Sequence, residues 1–140
     1  MSSSPAFAAT VLNGSAKFEN ADGTTLKALN TALGGTGGYL ESMYITNDDT
    51  SDVFVGIYRT ISSVDYLLQT VCVPAGSGTE VSGDHVAALD VLSLGIFGSS
   101  RNSYNEFELP MDDAMIIKVG MNSAVASGKT VYVNADFKVY

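Results

Sequence analysis

At 140 residues and 14.6 kDa, the chain has the size of one domain and can close a core without a disulfide or a structural metal. Fifteen acidic residues against seven basic ones give a formal charge of -8, and no Lys/Arg cluster occurs, so the footprint of a nucleic-acid or anionic-membrane binder is missing. The single cysteine, Cys72, excludes an intramolecular disulfide, and its apolar run LLQTVCVP reads as a buried thiol.

The start, MSSSPAFAATVLNG, lacks a positive segment followed by a long apolar one, and no window reaches eighteen apolar residues, so nothing addresses the chain to secretion or a bilayer. Residues 1–6 read as a flexible tip or assembly arm, and 7–140 as one β-sandwich domain. Phe7 to Leu12 is expected as a short strand. From Asp22 to Gly35 two readings stay open: Leu26, Leu29 and Leu33 have helical spacing, while Thr24 and Thr25 suit an extended start. GGTGG at 34–38 is a corner, not a Walker loop, because no Lys-Ser or Lys-Thr follows it.

YLESMYIT then alternates with Met43 and Ile45 inward. NDDTSD makes an acidic turn, and VFVGIYRT resumes with Val53, Val55 and Ile57 on one face. Asp65 to Val73 is the next strand, stopped by Pro74 and the PAGSG corner. In SGDHVAALDVLSLGIF the side chains of Val86, Leu89 and Leu92 fit a two-turn helix begun at Ser82 or Asp84. Tyr104 to Leu109 is expected to extend, with a turn at Met111 to Asp113. The last third is the clearest. Met115, Ile117, Val119 and Met121 share one parity, as do Val131, Val133, Ala135, Phe137 and Val139, which reads as an antiparallel hairpin. The sum is an all-β, antiparallel sandwich of seven or eight short strands with one short helix in a long connection.

Candidate chemistry is thin. Asp48, Asp49 and Asp52 crowd one turn, yet the spacing, central glycine and final glutamate of a calcium loop are absent, so their carboxylates are expected to cap backbone amides. His85, the only histidine, has no second element for a zinc site or a Ser-His-Asp arrangement. Glu106 and Glu108 share a strand face, a geometry that serves a glycosidase only if another acid stands opposite. No catalytic residue, metal ligand or cofactor is assigned, and the chain is expected not to be an enzyme. Tyr132 and Tyr140 project away from the core parity, with Tyr104 a possible neighbour. Phe54 and Tyr58 leave VFVGIYRT on the side opposite its core face and need cover from a loop or another subunit. These five aromatics are the candidate interface.

The order of TTLKALNTALGGTGG, YLESMYITNDDTSDVFVGIYR, DYLLQTVCVPAGSG and YNEFELPMDDAMIIKVGMNSAVASGKTVYVNADFKVY resembles that of small jelly-roll structural proteins of tailed bacteriophages. The matching positions are Thr46, Asn47, Asp49 and Thr50 in the first turn, Pro74, Ala75 and Gly76 in the corner, Leu109 and Pro110, and then Gly128, Thr130, Val131, Val133 and Ala135. The chain departs from the pattern in its apolar insert around Val86 to Leu94 and in Asp136, which stands where a glycine often follows the last alanine. The resemblance spans roughly residues 24–140 and carries no ligand residues across.

What it implies is a non-enzymatic virion protein, assembled in the host cytoplasm, that binds major capsid protein or other virion proteins as a cement or decoration subunit. A homo-oligomer, specifically a homotrimer, comes with that resemblance. A neck or tail adaptor is the alternative within the fold. A carbohydrate-binding module is another, and it requires Tyr104, Tyr132 and Tyr140 to lie on one flat face.

Overall fold

The computed structural model describes residues 10–35, 37–81, 84–94 and 108–140. Two antiparallel sheets pack face to face. The first has the order β1 (Thr10–Phe18), β11 (Val131–Val139), β3 (Gly38–Asn47), with β8 (Leu89–Asp90) and β9 (Leu109–Met111) sharing the far edge of β3. The second has the order β2 (Lys27–Ala28), β10 (Ile116–Met121), β4 (Val53–Ile61), β5 (Val64–Val73). β6 (Glu80–Val81) and β7 (Asp84–His85) form a separate two-stranded ribbon. The result is the antiparallel all-β sandwich that the alternation predicts, consistent with the jelly-roll type that the resemblance implies.

The core lies where the two inward faces meet. Phe18, Leu40, Met43, Ile45, Val133 and Phe137 from the first sheet are buried against Val55, Ile57, Val71, Val73, Ile117 and Val119 from the second. Period two places most of these side chains: in β11 Val131, Val133, Ala135 and Phe137 are buried, while Tyr132 and Asn134 between them are exposed. The exception is in β3, where a bulge opposite Asp136 and Phe137 turns both Glu41 and Ser42 outward, so Leu40 and Met43, three positions apart, both reach the core.

Parity does not choose a partner, and here the hairpin expectation fails. β10 and β11 lie in different sheets: β10 pairs with β4 and β2, β11 with β1 and β3. Their shared inward parity reflects two faces opposed across the core, not two neighbours on one face. The nine residues 122–130 give the chain enough length to cross between the layers, and buried Val125 anchors the crossing.

Other boundaries move for equally local reasons. β1 runs to Phe18, well past Leu12, because Gly14, Ala16 and Phe18 continue the buried parity; residues 7–9 of the expected strand lie outside the described residues. Residues 24–34 form no helix. Lys27 and Ala28 pair with β10, and Leu29 donates its N–H to the Ile117 carbonyl at 2.8 Å. The Asn30 amide then imitates a strand: its oxygen accepts the Ile117 N–H at 2.7 Å and its nitrogen donates to the Met115 carbonyl at 3.1 Å. The expected two-turn helix shrinks to one 3-10 turn at Leu92–Leu94, since Leu89 pairs with Ile45 instead and buried Val91 donates its N–H to the Met43 carbonyl. The turn after β9 begins at Asp112, whose carboxylate accepts the N–H groups of Ala114 and Met115. Cys72 is exposed rather than buried, because Val71 and Val73 take the inward positions of β5.

Phe137 is fully buried and Tyr132 is not. Replacing Phe137 by Ala is therefore expected to destabilise the fold by about 3 to 5 kcal/mol through the cavity it leaves, whereas Tyr132→Ala stays within about 1 kcal/mol. Chemical denaturation of the two variants beside the parent checks the contrast, and equal midpoints would refute the core assignment.

Candidate interaction surface

The two outward faces differ in chemistry. On the first sheet the polar side chains pair with one another across the strands: Ser15 donates to Asn134 at 2.8 Å, Ser42 donates to Asp136 at 2.9 Å, and Lys138 lies 3.6 Å from Glu41. Tyr44 and Tyr132 stand among these groups. The outward face of the second sheet is apolar at its centre. Gly56 and Gly120 sit opposite one another in β4 and β10, leaving a furrow without side chains. The Tyr58 ring covers Gly56 and the Leu26 side chain covers Gly120, which half-buries Tyr58 without help from another subunit.

Phe54 has no such cover and is 51% exposed. It stands opposite Cys72, and Leu67, opposite Tyr58, is 56% exposed. The β4–β5 hairpin also projects beyond the core. Ile61, Val64 and Tyr66 have the inward parity of the sheet yet are 37%, 50% and 49% exposed, so the facing sheet does not reach over them. A two-residue turn at Ser62 and Ser63, both with positive φ, closes the hairpin with a twist that matches its strands. The hairpin thus exposes Phe54 and Leu67 on its outward face and, toward its tip, Ile61, Val64 and Tyr66 on its inward face. The cue in the sequence was DYLLQTVCV, apolar on both parities and lacking any Lys or Arg.

The remaining candidate aromatics do not join it. Tyr132 is on the opposite layer. Tyr140 packs against Tyr39, ring centres 5.9 Å apart, with its N–H on the Gly37 carbonyl. Eight residues of extended chain separate Tyr132 from Tyr140, about 26 Å, too far for one sugar ring to bridge. Tyr104 and Glu106 lie outside the described residues.

The acidic turn is spent on backbone. Asp48 accepts the Thr130 N–H at 2.7 Å, Asp49 that of Ser51 at 3.2 Å, and Asp52 that of Ala75 at 2.9 Å. At the centre is Asn47, fully buried, which donates to the Ser51 carbonyl at 3.0 Å, lies 3.3 Å from the Val73 and Pro74 carbonyls, and accepts the Asp49 N–H. Three loops are thereby locked at one end of the sandwich. An open depression of about 340 Å³ lies beside them, walled by Asp49, Asp52, Phe54 and Asn122. Among the described residues no group of three or more His, Cys, Asp or Glu side chains is arranged to hold a metal ion. Melting curves in chelator and in excess calcium are expected to coincide; a calcium-dependent rise would make Asp48, Asp49 and Asp52 ligands instead.

Electrostatics near the hairpin centre on Asp65. Thr60 donates to its carboxylate, and the Lys118 ammonium lies 3.3 Å away. The Thr60 hydrogen bond, with Lys118 adding to it, holds the carboxyl below its ordinary value of 3.8 against a partial desolvation that works the other way. A lowered folded pKa stabilises above the unfolded value and is lost as pH falls through the folded one. The stability difference between the parent and Asp65→Asn should therefore be constant near neutrality and shrink below about pH 4. A difference that does not change down to pH 2.5 would refute it.

Comparisons with protein-family models, with curated proteins and with solved structures return no match for this chain.

Proposed function

We propose that the protein is a non-enzymatic structural component of a virion, a cement or decoration subunit that binds neighbouring capsid subunits and stabilises the head shell. The observation that carries this reading is a β4–β5 hairpin that is apolar on both faces, with Phe54 and Leu67 on the outward face and Tyr66 on the inward one each about half exposed. A small monomer seldom leaves so many large apolar side chains of one hairpin in water, and a protein contact is their usual cover. The sequence resemblance to phage jelly-roll proteins supplies the identity of the partner.

The mechanism needs no chemistry. A rigid sandwich that buries a patch on each of two neighbours raises the barrier to their separation. Several hundred Å² per contact at about 25 cal/mol per Å² gives a gross term of several kcal/mol per copy before ordering costs. A neck or tail adaptor would use the same surface in another place. The carbohydrate reading draws no support from the wide spacing of Tyr132 and Tyr140.

The test is to locate and then remove the subunit. A reconstruction of the particle from the genome that encodes this chain should show it on the head shell. Particles lacking it should release their contents at lower temperature and recover when the purified chain is added. Phe54→Ala should leave the melting of the isolated chain nearly unchanged and weaken shell binding about 30-fold, the effect of losing one interface anchor of about 2 kcal/mol. Density confined to the neck or tail would select the adaptor reading, and a particle without the chain would end both.

A further inference from the structure

The sheet edges are not treated alike. Beside β10, Lys27 to Asn30 occupy the ladder through Leu29 and the Asn30 amide. The far side of β3 is taken by β8 and β9. Beside β1, the Lys27 ammonium donates to the Lys17 carbonyl, and the Leu29 backbone lies so close to Gly14 that a Cβ there would fall 1.9 Å from its oxygen. β5 ends its sheet with nothing among the described residues against it over ten residues. Exposed edges of this length normally carry lysine or proline to block pairing. β5 carries neither, and its one charge, Asp65, is neutralised by Lys118.

The free backbone groups of this edge can be placed. The Phe54 carbonyl accepts the Asn122 N–H on the β10 side, so Val53, Val55 and Ile57 turn their groups toward β5, onto Val73, Val71 and Gln69. The groups of Thr70 and Cys72 then point outward, the Thr70 carbonyl accepting the side-chain amide of its neighbour Gln69 at 3.2 Å, a local bond that strand pairing would displace. At the other end the two-residue turn makes Ile61 and Val64 a hydrogen-bonded pair, as are Arg59 and Tyr66, so Asp65 and Leu67 point outward. The register shift opposite Ile57 and Tyr58 inserts Leu68 and changes the phase between these halves. The four outward positions, 65, 67, 70 and 72, are in consequence symmetric about the strand midpoint between Leu68 and Gln69. A strand that reads the same from either end is complementary to an antiparallel copy of itself.

We propose that β5 pairs with β5 of a second copy of this chain about a two-fold axis between Leu68 and Gln69, joining two four-stranded sheets into one. In this register Leu67 faces Thr70 of the second copy and Asp65 faces Cys72 of the second copy. Although each chain carries -8, the hairpin itself holds one cation, Arg59, and one acid, Asp65, which Lys118 pairs. The Asp52 carboxylate, 3.9 Å from the Cys72 thiol, lies on the side that Asp65 of the second copy approaches, so added salt should strengthen the pairing by screening this repulsion. Ten residues of β5 with Phe54, Tyr58, Arg59 and Ile61 bury about 500 Å² per copy at the area usual for an interface residue, about 1,000 Å² in total, which is at the threshold of a specific contact. The pairing is two-fold, so it replaces the threefold assembly that the sequence resemblance implies: a strand ring would need a second open edge.

The isolated chain tests this without any shell, which keeps it separate from the cement reading. Sedimentation equilibrium between about 1 and 100 µM should show mass rising from 14.6 kDa toward twice that value. The double variant L67K/T70K sets lysine against lysine across the axis and should remain monomeric throughout. In a Cys72→Ser background, L67C and T70C chains should form a disulfide-linked dimer when mixed under mild oxidation and not when kept apart. If the lysine variant does not fold, the cross-link decides. A monomer across the whole range, a trimer, or a dimer that survives L67K/T70K and yields no cross-link on mixing would overturn the proposal.

Discussion

The structure depends on one constraint: two sheets, each apolar on a single face, must keep those faces together. Every long strand obeys it by alternating, and where a strand must shift phase it does so at a bulge. In β3 the bulge lets Leu40 and Met43 both reach the core; in β5 it falls at Leu68, which packs against the core while Leu67 turns outward. The constraint also dictates the path of the chain. From β1 to β2, β3 to β4 and β10 to β11 the chain changes sheets, whereas β4 to β5 is a tight hairpin within one layer.

The two ends of the sandwich follow from how those connections are held. Where the chain crosses after β3, β5 and before β11, the turns share Asn47 and the carboxylates of Asp48, Asp49 and Asp52, so polar groups that would otherwise need water satisfy one another. The opposite end carries the β4–β5 hairpin, which runs beyond the facing sheet. Its inward positions keep strand-forming apolar residues, and Ile61, Val64 and Tyr66 stay exposed there because the facing sheet does not extend over them.

Glycine explains how the outer face of the same sheet is shaped. Opposed Gly56 and Gly120 remove two side chains, and Tyr58 and Leu26 lie down in the space. The consequence is a division between two aromatics that look equivalent in VFVGIYRT. Tyr58 is covered within its own chain, and Phe54, opposite Cys72, is half exposed.

Alternation by itself determined the sheet class, the inward set of β3, β4, β10 and β11, and the capping role of the acidic turn, because each depends on neighbours within a few residues. Which strands pair was beyond it. Met115 to Met121 and Val131 to Val139 share a parity whether they lie side by side or face each other across a core, since period two fixes the face of a side chain and not its partner strand. The same holds for Leu26, Leu29 and Leu33, whose spacing suits a helix although the β10 edge draws Lys27 to Leu29 between them into extended pairing, and for Cys72, whose apolar neighbours hide that it sits on the last strand of a sheet. Edge or centre, paired or crossed, is settled only when distant segments compete for the same backbone hydrogen bonds. Tertiary structure alone therefore decided that β5 is the strand left open among the described residues.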